Sequence, residues 1–496
     1  MAGSLLVIPR GVEAADARPQ LSDPAITAVV EAGLRYDRGV APNTVDAGSS
    51  HGIVTLSGAV SNLLAKERAV AIAESIRGVR GVVDRITVTP VLRSDRDIRD
   101  AVLMMLSHDP ATASYHVSAS VKNAVATLAG VVDSYAAKRL AVRLAKGVKG
   151  MKDVRDDLTI DYARKRSDEQ IAADARARLA WDLWLNGDSI KTAVKGGAVT
   201  LSGLVGSAVG KSRAYDDAWV NGVTAVDDAA LEVDPRLRDD ARHRPNFAVK
   251  TDGDIKAAVE AAFQLDPRVS RHVPDVSVEG GGVILTGTVE NLKAKASAEQ
   301  DAHDIGGVWR VDNLIKVRPQ GPVVDVDMEK QLKTMLAWDP SLDGSAIDVA
   351  VINRVAYLTG AVDSRYEMVE AEEDASRVEG LLWVRNRLKV EPDQVVAYDR
   401  PYSDYHAWPY YRSPFPRSVE LGPPPYPSDA EIKAGVVRAL FWSPFVAGDT
   451  ITVTVHGGVA TLSGTVDSWI GWREADEDAR RIAGDVINRL VIRKGR

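Results

Sequence analysis

The side chains that could do chemistry in this chain are few and poorly grouped. Its eight histidines are scattered, and none stands at metal-ligand spacing from another. There is no cysteine in 496 residues, which excludes disulfides, thiolate metal sites and thiol nucleophiles. No HExxH, G-x-S-x-G elbow or dinucleotide fingerprint occurs. Gly206-Ser207-Ala208-Val209-Gly210-Lys211-Ser212 approaches a phosphate-cradling loop but is one residue short, and such a cradle depends on its loop length. Paired carboxylates such as Asp227-Asp228 fall where a strand begins and read as solvating a turn. The sequence assigns no catalytic residue, no cofactor and no metal, and it points away from an enzyme.

What remains is the chemistry of surfaces. Lys138, Arg139, Arg143, Lys146, Lys149 and Lys152 follow one another without an acid among them. On an amphipathic helix such a set is a candidate anionic-lipid face, at about 1 kcal/mol per well-placed cation. The plain alternative is a solvated helix face. The corresponding stretches further on are acidic, with Glu367, Glu370, Glu372, Glu373 and Asp374, then Glu474, Asp476, Glu477 and Asp478. Opposite signs permit contact between parts of one chain or between chains, which leaves self-association open. A proline-rich segment carries Tyr402, Tyr405, Trp408, Tyr410 and Tyr411. It is a candidate aromatic strip for a membrane interface or a glycan, or else a stiff polyproline-II spacer. Net charge is −7, so no global basic field draws the chain to nucleic acid. No apolar run approaches the roughly 18 residues of a membrane-spanning helix.

The elements that carry these residues are written six times. Strings such as GIVTLSG, AVATLAG and GVATLSG close on Gly58, Gly130, Gly203, Gly287, Gly360 and Gly464. Leucine stands two residues before each of these glycines and valine two residues after, so one strand face reads apolar-Leu-Gly-Val. The opposite face carries hydroxyls, as at Thr55, Ser57, Thr200 and Ser202. The glycine leaves room for another backbone or a helix to come close. A second glycine follows at a nearly constant distance (Gly78, Gly150, Gly222, Gly307, Gly380, Gly484), ending an amphipathic stretch that reads as a helix. Val-x-Asp or Val-x-Asn then opens a last strand, as in Val82 with Asp84 or Val226 with Asp228. Upstream, Ser167 with Gln170 and Ser428 with Glu431 have capping-box spacing, and Pro110, Pro267, Pro340 and Pro444 stop the opening helix. Gly457-Gly458 supplies a hairpin turn. The fold class is therefore α+β: six tandem modules, each helix, strand, strand, helix, strand, with a three-stranded mixed sheet and two helices.

A unit of this length with a central G-x-V-x-L-x-G-x-V strand, a glycine after the second helix and a final V-x-N strand resembles the BON domain. The boundaries expected are 21–91, 93–161, 166–234, 251–319, 324–392 and 428–494. A charged linker covers 235–250, a Pro/Tyr-rich one covers 393–427, and residues 1–20 read as a tail or a truncated export signal. The family is typified by osmotically inducible periplasmic proteins of Gram-negative bacteria. The resemblance implies a non-enzymatic envelope protein binding phospholipid surfaces or envelope partners under osmotic stress. It implies a periplasmic or envelope-associated location, whereas the absence of cysteine fits the cytoplasm equally. The alternative is a protein-interaction scaffold or chaperone-like stress protein that binds no lipid. Unit five departs from the pattern by placing Tyr357 where most copies have threonine.

Overall fold

An aspartate opens the first helix of every module. Asp23, Asp95, Asp168, Asp252, Asp325 and Asp429 each take the first helical position, where a negative charge suits the helix dipole. The computed structural model describes residues 21–40, 43–182, 185, 189–237, 250–342, 344–390, 428–446, 450–483 and 485–493. The candidate aromatic strip (Tyr402, Tyr405, Trp408, Tyr410, Tyr411), most of the charged linker, the N-terminal stretch and Gly484 lie outside them.

Module 2 shows the common plan. A first helix, Asp95–His108, leads into an opening strand, Ser118–Lys122, and a central strand, Val125–Val132. A second helix, Tyr135–Lys146, then crosses over to a closing strand, Asp153–Ile160. The central strand is antiparallel to the opening strand and parallel to the closing one. All six modules repeat this α+β plan. In modules 4 and 5 the closing strand comes in two pieces, and in module 4 the central strand also breaks at Gly287. The capping boxes at Ser167 and Ser428 are both formed. Four first helices end at His108, Leu265, Trp338 and Trp442, because the residue before each proline is kept out of the helical region.

The apolar face of each central strand is the core of its module. Leu56, Leu128, Leu201, Leu285, Leu358 and Leu462 are all completely buried, each contributing about 2–3 kcal/mol by burial. The closing glycine beside each leucine has a positive φ, from 115° at Gly203 and Gly360 to 146° at Gly130. What crowds it is backbone rather than helix. A Cβ at Gly58, Gly130, Gly203, Gly360 or Gly464 would strike a carbonyl oxygen at the start of the opening strand, that of Thr44, His116, Ser189, Ala346 or Thr450. At Gly287 the nearest atom is the Pro274 Cα, 3.5 Å from such a Cβ.

Two expectations from the sequence are corrected. The second glycine does not end the second helix: that of module 2 stops at Lys146, and Gly150 lies beyond it in a turn with φ 92°. There the glycine makes room for the Arg93 side chain and, behind it, Ile98 of the first helix, whereas Gly78 makes room for Ile26 and Gly307 for Ile255. In module 3 the strand-opening acid is displaced by one residue. A bulge between Thr200 and Ser202 gives the turn role to Asp227, which accepts the Ala229 amide at 3.0 Å.

The hairpin turns explain the opening aspartates. Both central residues of each turn are left-handed, as in Gly457 (59°) and Gly458 (82°), the type I′ geometry that a twisted hairpin favours. Modules 2 and 5 use Asn123-Ala124 and Asn353-Arg354, where a side chain makes this conformation costly. In all six modules the aspartate at the start of the first helix accepts both turn amides, one on each oxygen. Asp95 takes Asn123 at 2.9 Å and Ala124 at 2.8 Å, and Asp429 takes Gly457 at 2.9 Å and Gly458 at 2.8 Å. The other four modules match.

These turn amides hold the Asp23 and Asp429 carboxyls below the usual aspartate range. A depressed folded pKa means the stabilisation is complete above the unfolded value and is lost as pH falls through the folded one. Thermal melts of the full chain from neutral to strongly acid pH check this. Asp23→Asn with Asp429→Asn should melt lower than the parent at neutral pH and lose less on acidification; a variant melting like the parent at neutral pH would contradict the clamp. The glycine geometry makes a separate comparison. Gly203→Ala should destabilise module 3 by about 1–3 kcal/mol, read as faster amide exchange over its opening strand in the full chain. Gly287→Ala should cost module 4 less, since its Cβ meets no carbonyl, and equal effects would refute the difference.

Candidate functional site

The modules are joined in a nested order by one repeated backbone bond. The amide just before the second glycine of one module donates to the carbonyl of a tryptophan that ends the first helix of another. Arg77 donates to Trp442 at 3.0 Å, Lys149 to Trp338 at 2.8 Å, and Gly306 to Trp181 at 3.3 Å. Module 1 thus meets module 6, module 2 meets module 5, and module 4 meets module 3. Modules 1, 2 and 5 share a continuous apolar core, while modules 3, 4 and 6 keep their own.

This order turns the second helices of modules 1 to 5 toward one another around a cleft of about 1860 Å³. They are Leu63–Glu74, Tyr135–Lys146, Ala208–Asp217, Leu292–His303 and Arg365–Arg377. Charges of opposite sign meet across it. Lys146 of module 2 pairs with Glu67 of module 1, Arg139 with Asp216 of module 3, and Lys293 of module 4 with Glu373 of module 5. The Tyr135 ring stacks on Trp219, with centroids 4.0 Å apart and planes 7° from parallel. Arg68 lies over the Tyr366 ring at 4.7 Å. The Ser212 hydroxyl donates to Glu74 at 3.2 Å, yet burial pushes the Glu74 carboxyl above its ordinary range. Burial likewise raises the Tyr135 and Tyr366 phenols, and it raises Glu370, which also feels Asp339.

The basic set read from the sequence is divided by this arrangement. Lys138 ties its own module together, 3.2 Å from Asp156 and donating to the Leu158 carbonyl. Lys149 is buried at the junction with module 5. Arg139, Arg143, Lys146 and Lys152 line the cleft. Of these, Arg139 and Lys146 are paired as above, whereas Arg143 and Lys152 make no side-chain hydrogen bond or ion pair with any described residue. The near-phosphate loop opens the second helix of module 3, with Ser207 capping it and Lys211 3.7 Å from Asp228.

The Lys138 tie belongs to a series that sequence reading missed. Eight residues after the closing glycine the second helix presents Lys66, Lys138 or Lys211 wherever the closing strand carries an aspartate, at 3.2, 3.2 and 3.7 Å. Where the strand carries asparagine, its amide donates to the helix carbonyl at the same position: Lys295 at 2.8 Å, Met368 at 2.9 Å and Trp472 at 3.2 Å. The exchange was readable by aligning the six units with one another.

A second surface lies on the outer face of module 5. Ile352, Val355 and Trp383 are neighbours in register across its three strands, with Ala350, Tyr357 and Arg385 in the next row. Trp383 is 64% exposed and Ile352 55%. The Arg385 guanidinium stands 5.9 Å from the Tyr357 ring centre; Arg387, in the gap between the two pieces of the closing strand, and Lys389, opening the second piece, are also exposed. Here the departure at Tyr357 extends an apolar row where modules 1, 2, 3 and 6 carry threonine and module 4 carries Ile284.

Among the described residues no group of three or more histidines and carboxylates could hold a metal ion, and no helix is long and apolar enough to cross a membrane.

The chain is 31% identical over 145 residues to osmotically-inducible protein Y of Escherichia coli (strain K12), covering 28% of this chain and 72% of that protein. Among solved structures, CdsD, a structural protein of the type III secretion system of Chlamydia trachomatis, is 14% identical, covering 44% of this chain and 96% of that one, with a TM-score of 0.12. Its C-terminal domain is likewise 14% identical, covering 46% of this chain and 100% of that one, with a TM-score of 0.13. Scores this low leave both likenesses without weight for this chain. The family model described as the BON domain matches residues 22–90, 94–162, 167–235, 251–319, 325–392 and 428–494. With most of its length so matched, this chain belongs to the BON-domain family, six domains in one polypeptide.

Proposed function

We propose that this chain is a non-enzymatic, periplasmic or envelope-associated protein that protects the cell against osmotic or envelope stress by contacting phospholipid surfaces. The family, and a relative whose name marks it as osmotically inducible, support the setting. The observation that carries the contact itself is the outer face of module 5. An exposed tryptophan beside aliphatic side chains suits the interface between headgroups and acyl chains. Arg385, Arg387 and Lys389 add three cations beside it, together worth about 3 kcal/mol near an anionic surface. That energy alone holds a protein loosely, and several modules in one chain raise the effective concentration of each further contact. The four cleft-facing members of the basic helix set contribute to such a surface only where the cleft admits it.

Binding of envelope proteins instead of lipid is the second reading. It is favoured by the sheet edges: among the described residues no strand of one module pairs into the sheet of another. Such edges accept an extended segment from a partner.

Sedimentation with vesicles of phosphatidylglycerol and phosphatidylethanolamine separates the two. The full chain should pellet with vesicles at low salt and progressively less as salt rises. Trp383→Ser with Arg385→Gln should weaken binding about tenfold or more. A chain that stays in solution at low salt overturns the lipid reading and leaves the protein-partner one.

A further inference from the structure

We infer that the joint between modules 3 and 4 is a proton-dependent hinge, closed while its buried carboxyls keep their protons and loosened when they ionise. The two modules keep separate apolar cores, and Trp181 of module 3 crosses to pack against the core of module 4. Lys250 lies over the outer side of that ring, 4.2 Å from its centre. Backbone contact is slight: the Gly306 amide donates to the Trp181 carbonyl, and Asp182 and Ile305 form an isolated antiparallel bridge. The rest of the joint is charge. Module 3 supplies Arg178 and Asp182 at the end of its first helix, and Arg213 and Asp217 on its second. Module 4 supplies Asp301 from its second helix and Asp304 just after it, with Asp266 at the end of its first helix beside Asp301.

Arg178 donates to Asp217 at 2.8 Å, while Arg213 meets Asp182 at 2.8 Å and Asp304 at 3.7 Å. Gln300 donates to Asp304 at 2.7 Å, Arg473 of module 6 adds a positive charge near it, and Asp216 is taken by Arg139. The buried Oδ2 atoms of Asp217 and Asp301 receive no hydrogen bond from any described residue. With its side chain 7% exposed, an ionised Asp217 is costly unless both oxygens are met, and a proton removes the charge and makes the group a donor. Burial, with Asp182 beside it, pushes the Asp217 carboxyl up to about 8 against the pull of Arg178 and Arg213. Burial also raises Asp301, Asp304 and Asp266. It pushes the His303 ring, stacked on Trp469 of module 6, down to about 4, so that ring stays neutral above pH 6. For a carboxyl raised above its unfolded value, the stabilisation is complete below the unfolded value and is lost as pH rises through the folded one. The joint therefore loosens from neutral to mildly alkaline pH, opposite in direction to the aspartate clamps. Asp216 on one side of it and Lys293 and Ser297 on the other line the central cleft, so loosening parts the cleft wall.

The chain has no cysteine, so introduced pairs carry spin labels without background. Lys191→Cys with Ser277→Cys puts one label on an exposed strand position of each module, and electron–electron distances in the full chain report the joint. One narrow distance distribution is expected at pH 6. A longer population should grow toward pH 9 and vanish on return to pH 6. Asp217→Asn keeps an uncharged donor and acceptor in place, and it should cut the longer population at pH 9 severalfold; Asp301→Asn, a second neutral replacement, should reduce it as well. A pH 6 distance equal to the parent's shows each variant folded, and the parent's own titration decides the matter where a variant does not fold. Labels at Lys122→Cys and Asp348→Cys, on modules 2 and 5, should keep one distance throughout, which separates a local hinge from general unfolding. An unchanged distance across modules 3 and 4 between pH 6 and 9, a longer population in Asp217→Asn as large as the parent's, or an equal change between modules 2 and 5 would overturn the inference.

Discussion

One carboxylate holding two turn amides is the interaction on which each module rests. The first helix packs on the sheet only if the hairpin beside it keeps its twist, and that twist needs two consecutive residues in the left-handed region. Glycines satisfy this in modules 3, 4 and 6, while Asn123-Ala124 and Asn353-Arg354 do so against their side chains. The aspartate at the start of the first helix meets both amides and stands where the helix dipole favours its charge. Turn, helix and sheet are thereby set relative to one another around the apolar core.

The central-strand pattern was legible because burial enforces it residue by residue. The six leucines are fully enclosed, and the alternation that marked them in the sequence is the alternation of the strand. Element order, capping boxes and proline stops were legible for the same reason, being local. The aspartate clamp was not, because it links positions far apart in sequence and a lone Asp at a helix start is ordinary. The closing glycines stand out in the sequence, which leaves open whether a backbone or a helix comes close to them. A strand pattern shows that space is needed and is silent about whether a helix or a carbonyl fills it, and five of the six sites turn out to face a carbonyl.

The basic helix of module 2 illustrates the limit more sharply. Its charge run described a face, and the face exists, but charge says nothing of what lies opposite. Module 2 meets its chain neighbours, modules 1 and 3, and its Lys149 amide bonds to Trp338 of module 5 as well. In that setting Glu67 and Asp216 lie opposite the cations. The acidic counterpart in module 5 is likewise drawn inward, where Glu373 meets Lys293 and lies below its usual range despite burial. The acids that meet the module 2 cations are those of modules 1 and 3, not the acidic runs of modules 5 and 6 that stand out against them in the sequence.

The repeats also show which positions are free to vary. At the helix-to-strand tie, aspartate with lysine and asparagine with a backbone carbonyl do the same job by different hydrogen bonds. Variation there preserves the fold and needs no external partner to explain it. Trp383 and Ile352 differ, because they stay exposed in an apolar row on a sheet face, while Arg385 covers only the Tyr357 ring beside them. Exposed aromatic surface is unfavourable in water, and its removal would cost the core nothing, since Ala356 and Leu358 point the other way and are fully buried. Where copies of one fold diverge without internal compensation, the difference is most simply explained by something the chain binds.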